Sequence, residues 1–226
     1  MLLPVLLSLG LSANSVQGQT PTVTPPQRFA EEIRAFADAD AKAMPKPGVV
    51  LFVGSSSIRL WNSLKEDFPR YRVLNRGFGG SRIDDAVMYA DRIVIPYRPS
   101  AIVFYGGTND LADGHAATQV ARDWEAFVGK VRAKLPRVPI GFIAISPAPS
   151  RRNLWSQMTD ANSRIRTFCA RTPGLTYIDV VAAMMDGNGG PRPELFVEDQ
   201  LHMNPKGYAI WNEIVNTELA GMLRRR

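Results

Sequence analysis

Short runs of unbroken apolar residues alternate along this chain with amphipathic stretches, and that alternation restricts the fold more than any other feature. Residues 49–53 (VVLFV), 101–105 (AIVFY), 140–145 and 175–180 are runs of strand length, and 72–74 is a weaker one. Between them the apolar positions step by three and four residues, the period of a half-buried helix. Phe29, Ile33 and Phe36 form one such face, ended by the segment 45–48. Val120, Trp124, Phe127, Val131 and Leu135 form a second, and Leu154, Met158, Ala161, Ile165 and Phe168 a third. Tyr208, Trp211, Val215, Leu219 and Met222 form the last, behind Asn204 as N-cap and Pro205 at the first helical position. Strands that are apolar on both faces need helices on both sides, so the pattern predicts a mainly parallel sheet in an α/β protein.

Five strands suit the flavodoxin-like doubly wound order 2-1-3-4-5, a three-layer α/β/α arrangement with its ligand crevice at the carboxyl edge of strand 1. The chain has 226 residues and no internal repeat, which predicts one domain over residues 27–226. Residues 1–11 (MLLPVLLSLGL) are too short an apolar run to span a bilayer. With the small and polar residues behind them they resemble a secretory signal over 1–18, although no Lys or Arg precedes the apolar run. A Thr- and Pro-rich linker over 19–26 follows. The expectation is therefore an exported protein, periplasmic or secreted, without a stable membrane span. One cysteine, Cys169, excludes an internal disulfide and multi-cysteine zinc sites. The net charge of +6 is scattered apart from the three terminal arginines, and reads as solubility rather than nucleic-acid binding. No cofactor and no metal is called for.

Three polar, glycine-rich segments each follow a predicted strand: Gly54-Ser55-Ser56-Ser57, Asn75-Arg76-Gly77-Phe78-Gly79-Gly80-Ser81 and Gly106-Gly107-Thr108-Asn109-Asp110. In a parallel sheet of order 2-1-3 all three emerge side by side at one edge. A serine cluster flanked by N–H donors is what acyl transfer requires: a hydroxyl nucleophile and groups to hold the developing oxyanion. A serine needs a base, and there are two histidines, His115 and His202. His202 lies three residues after Asp199, close enough for the carboxylate to hold Nδ1–H and leave Nε2 facing the serine. His115 reads as a solvated loop residue, with a binding role near Asn109 as the alternative.

These segments, taken with Asp199-Gln200-Leu201-His202 and in this order, resemble the SGNH (GDSL-type) esterases and lipases from about residue 49 onward. The resemblance implies a serine esterase. Ser56 stands at the serine of G-D-S-L, with Gly80 and Asn109 as oxyanion donors beside the Ser56 N–H, His202 as base and Asp199 as its orienting carboxylate. Ser55 and Ser57 replace the aspartate and leucine of that motif, so three serines compete for one role. Strand alternation favours the middle one, because Ser55 and Ser57 would project together and Ser56 opposite them. Ile58 stands where G-x-S-x-G requires glycine, which argues against an α/β-hydrolase elbow.

Other readings compete. A Ser/Gly loop after strand 1 could cradle phosphate, making the protein an FMN or phospho-ligand binder. The fold could also carry a catalytically silent carbohydrate-binding descendant. Asn109 and Asp110 could be helix caps, Asp179 a strand-end cap and Asp186 a turn residue. The four tryptophans read mostly as core, with Trp61 or Trp155 as candidates to line a substrate mouth. The favoured substrate is a short-chain or acetyl ester of a small molecule or carbohydrate, since no long apolar segment suggests an interfacial lid.

Overall fold

The computed structural model describes residues 29–225; the expected signal over 1–18 and linker over 19–26 lie outside them. The elements in chain order are α1 (Ala30–Lys42), β1 (Val50–Gly54), α2 (Ser56–Arg59), α3 (Leu64–Asp67), β2 (Val73–Gly77), α4 (Ile83–Ile93), β3 (Ala101–Tyr105), α5 (Thr108–Ala112), α6 (Ala117–Lys134), β4 (Ile140–Ile143), α7 (Trp155–Arg171), β5 (Leu175–Ile178), α8 (Val181–Met184) and α9 (Pro205–Arg224). The strands form one parallel sheet in the order β2-β1-β3-β4-β5, the predicted doubly wound order.

Two apolar layers follow from strand alternation. Leu51 and Val53 face a core shared with α1, α4, α6 and α7, whereas Val50 and Phe52 face one shared with α2, α3, α8 and α9. A fully buried Phe or Ile contributes roughly 1.5–3 kcal/mol, so β1, buried along its whole length, anchors both layers. The weak run at 72–74 grows into a five-residue strand because Val73–Gly77 pairs along all of β1. The runs at 140–145 and 175–180 stop pairing earlier than the apolar pattern predicts, at Ile143 and Ile178. Burial outlasts pairing there, since Ala144, Ile145 and Val180 remain buried as the chain leaves the sheet.

One residue of the glycine-rich second segment serves the framework. Arg76 is buried, ion-paired with Asp40 of α1, and sandwiched 4.8 Å from each of the Phe36 and Tyr97 rings. The register sets Gly54 beside Gly77 on one side and Tyr105 on the other, so the segments after β1, β2 and β3 leave the sheet at one level.

Candidate active site

The serine segment is shaped by close backbone packing. Gly54 has φ +140°, and a Cβ there would stand 1.8 Å from the Tyr105 carbonyl oxygen, so only glycine lets β1 and β3 approach this closely. Strand geometry ends at this residue. Ser55 is the extended N-cap of α2, Ser56 opens the helix, and Ser55 and Ser57 are both buried. Expected strand alternation is therefore not what distinguishes Ser56; the turn into α2 does. Two outside side chains hold this short helix. Asn75 Nδ2 donates to the Ile58 carbonyl at 2.7 Å while its Oδ1 accepts the Gly77 N–H at 2.8 Å. Tyr208 Oη of α9 donates to the Ser57 carbonyl at 2.9 Å.

The segment carrying His202 is built locally. Asp199 Oδ1 accepts the N–H groups of Leu201 and His202, both at 2.9 Å, and Gln200, which follows Asp199, turns the chain in the left-handed region at φ +55°. Its other oxygen, Oδ2, lies 2.6 Å from His202 Nδ1. Against the opposing effect of desolvation, the His202 backbone N–H, its ring and the Leu201 N–H hold the Asp199 carboxyl down at about 2. An ionised carboxylate only accepts, so Nδ1 is the protonated nitrogen of the neutral ring and Nε2 is left as acceptor. Nε2 lies 2.8 Å from Ser56 Oγ, across 146 residues of sequence. Asn204 ends the segment as expected: Oδ1 caps α9 at the Lys206 and Gly207 N–H groups, and Nδ2 donates to the carbonyls of Glu194 and Phe196.

Beside Ser56 is a recess of about 10 Å³ lined by Ser55, Ser57, Tyr105, Thr108, Asn109, Ser146, Ala148 and Leu201. Tyr105 Oη lies 3.0 Å from Thr108 Oγ1 and 3.1 Å from Ser146 Oγ, making its floor a buried hydroxyl cluster. Asn109 Nδ2 donates one proton to the Ser81 carbonyl at 2.9 Å, which leaves the amide's second proton for another acceptor. Gly80 is exposed, at φ +77° in the turn between β2 and α4, and is not among the residues lining the recess.

Several sequence expectations are corrected here. Gly107 rather than Asn109 is the N-cap of α5, and Asp110 is a fully buried residue whose Oδ1 accepts the Ile83 N–H at 3.0 Å. Burial raises its carboxyl to about 6, opposed by the Ile83 N–H. His115 is not a solvated loop residue: it is half-buried against Asp110 and Asp123, because α6 folds back over the loop that carries it. Trp61 belongs to the aromatic core with Phe52, Phe68, Tyr208 and Trp211, away from solvent. Trp155 does line a recess of about 200 Å³ with Arg151 and Arg152, and Ala148 lines both it and the smaller one. Asp179 accepts the Val181 N–H just beyond β5, and Asp186 accepts those of Asn188 and Gly190 in a turn, as expected. Tyr208 and Asn75 escaped sequence reasoning. Helical spacing makes Tyr208 look like an ordinary core position, and a hydroxyl's partner 151 residues away leaves no local signal.

A model of the GDSL-like lipase/acylhydrolase family matches residues 52–210. No curated protein matches the chain in sequence. Among solved structures, a protein of Streptococcus pneumonia provisionally described as a platelet activating factor superposes with TM-score 0.75 at 18% identity, over 84% of this chain and 92% of that one. A GDSL-like lipase of Bacteroides thetaiotaomicron gives 0.68 at 20% identity, over 86% and 97%. A carbohydrate esterase family 3 protein of Talaromyces cellulolyticus gives 0.62 at 17%, over 80% and 99%. At these identities the structural likeness establishes the fold.

Proposed function

Because the chain belongs to the GDSL-like lipase/acylhydrolase family and is thus a carboxylic ester hydrolase, we propose that it cleaves short-chain or acetyl esters through an acyl-enzyme on Ser56. The observation that carries this reading is the unbroken line from the Asp199 carboxylate through His202 to Ser56 Oγ, at 2.6 and 2.8 Å. His202 Nε2 takes the hydroxyl proton as Oγ bonds to the ester carbonyl carbon. The oxyanion then receives the free proton of the Asn109 amide and the Ser56 N–H; Gly80, expected as a third donor, is exposed outside the lining of the recess and does not belong to this set. On collapse the C–O bond to the alcohol breaks, and the imidazolium returns its proton to the departing oxygen. Water, deprotonated by His202, then releases the acid and restores Ser56.

The recess of about 10 Å³ has room for one water-sized group. That favours an acetyl methyl over a long acyl chain. The wider recess with Trp155, Arg151 and Arg152 suits the alcohol part of the substrate, where an indole can cover a sugar face. The carbohydrate esterase among the structural relatives is consistent with that assignment. A phosphate-binding reading has less support, since the Ser55 N–H that such a cradle would use donates to the Tyr105 carbonyl. No helix among the described residues is long and apolar enough to cross a membrane, and residues 1–18 are proposed as an export signal.

Hydrolysis of p-nitrophenyl acetate tests the assignment. Ser56→Ala should lower kcat by roughly 10⁴–10⁶-fold, as loss of a triad member does, while Ser55→Ala and Ser57→Ala retain turnover. Full activity in Ser56→Ala would end the reading. In a series of acyl lengths, rates should fall from acetate to octanoate, and acetylated xylan should release acetate.

A further inference from the structure

A second cluster of chemistry-bearing side chains lies behind the Asn109 segment, with no part in the ester mechanism. Asp110 on α5, His115 in the following loop and Asp123 on α6 each offer one donor atom, and these atoms lie within 4.8 Å of one another. Each carboxylate has one oxygen already held by an N–H donor: Asp110 Oδ1 by Ile83 N, and Asp123 Oδ1 by Gln119 Nε2 at 2.8 Å. The backbone supports the cluster too, since the His115 N–H donates to the Asp110 carbonyl at 2.9 Å. Asp110 Oδ2, on a fully buried residue, and His115 Nδ1 are both buried without a hydrogen-bond partner. Buried polar atoms without partners are costly and need an explanation. Here two of them belong to the same cluster.

We propose that Asp110, His115 and Asp123 form a binding site for one divalent transition-metal cation. An imidazole with two carboxylates is a mixed N/O set that suits Zn²⁺ or Mn²⁺ better than Ca²⁺ or Mg²⁺, which take oxygen ligands. Donors around a tetrahedral ion with bonds of about 2.1 Å stand roughly 3.4 Å apart, so the half-buried His115 and Asp123 close the set by rotating inward. Ile83 and Gln119 orient the carboxylates in the way that outer hydrogen bonds orient metal ligands. The bound ion would tie α5 to α6 directly behind Asn109, whose amide is held to Ser81 two residues before Ile83. The site is thus placed to stiffen the segment that carries the oxyanion donor, without touching substrate.

Calorimetric titration of the chelator-treated full chain with ZnCl₂, and in parallel with MnCl₂ and CaCl₂, tests this. One Zn²⁺ or Mn²⁺ should bind per chain and raise the unfolding midpoint, as any ligand of the folded state does. His115→Gln and Asp123→Asn, both at half-buried positions, should weaken binding by at least about 100-fold, the upper end of what losing a supporting group costs. His202→Gln removes the only other imidazole and should leave the stoichiometry at one. The proposal is overturned if no transition ion binds, if binding is unchanged in both His115→Gln and Asp123→Asn, if it disappears only in His202→Gln, or if Ca²⁺ binds more tightly than either transition ion. Because binding is read directly, none of these outcomes depends on whether Ser56 is the nucleophile.

Discussion

The two sides of the candidate triad are built in opposite ways. Ser56 sits where β1 meets α2, and everything that positions it comes from afar: Tyr105 pressed on Gly54, Asn75 on the Ile58 carbonyl, Tyr208 on the Ser57 carbonyl. His202 is positioned by its own neighbours, through an Asp199 carboxylate that accepts two backbone N–H groups and the ring within four residues of chain. Ser56 is half-buried between the buried Ser55 and Ser57, whereas the His202 and Asp199 side chains are 26% and 48% exposed. A nucleophile placed by long-range packing is as stable as the core. A base placed by a local turn can be tuned or damaged without the core being affected.

That contrast predicts which substitutions separate activity from stability. The largest effect expected in the exposed turn is that of Asp199→Asn, which should lower kcat by roughly 10⁴-fold through loss of the correct tautomer and lower the unfolding midpoint at neutral pH by much less than Gly54→Ala does, because the carboxylate is half in solvent. Because folding depresses the Asp199 carboxyl from 3.8 to about 2, the stability it contributes is complete above pH 3.8 and is lost as pH falls through about 2. Unfolding curves of parent and variant should therefore converge at the acid end. Next comes Asn109→Ala, expected to lower kcat by about 10²–10³-fold with a smaller change in KM, as loss of one oxyanion donor does. Gly54→Ala should do the reverse of Asp199→Asn: roughly 3 kcal/mol or more of stability lost to strain at positive φ and a backbone clash, measured by urea unfolding. If Gly54→Ala folds with parental stability, the serine side is less tightly packed than described. The smallest effect is that of Asn204→Ala, about 1 kcal/mol from losing the α9 cap, with most of the activity retained. Losing activity as severely as Asp199→Asn would show that α9, not the local turn, holds the imidazole.

Much of this was legible in the sequence because it is encoded at short range. Apolar period separates strands from helices, and five parallel strands covered on both faces suit the doubly wound order that the sheet has. Asp199-Gln200-Leu201-His202 announces a carboxylate–imidazole pair because its contacts span three residues. The same reading missed what is long-range. It treated Ser55, Ser56 and Ser57 as continuing a strand, whereas Gly54 ends the strand and α2 begins. It left His115 in solvent, whereas α6 brings Asp123 to it. It gave Arg76 no role, although its guanidinium lies between α1 and the sheet.

What the sequence alone determined is therefore the layered α/β architecture and the candidates for the reactive groups, since hydrophobic periodicity and turn chemistry are properties of neighbouring residues. What only the tertiary structure decided is how the turn into α2, rather than strand alternation, brings the middle serine to the imidazole, which side chains hold that serine, and how small a space adjoins it. Those depend on approaches of a few ångströms between segments up to 151 residues apart, and side chains that distant leave no trace in local pattern until the core has brought them together.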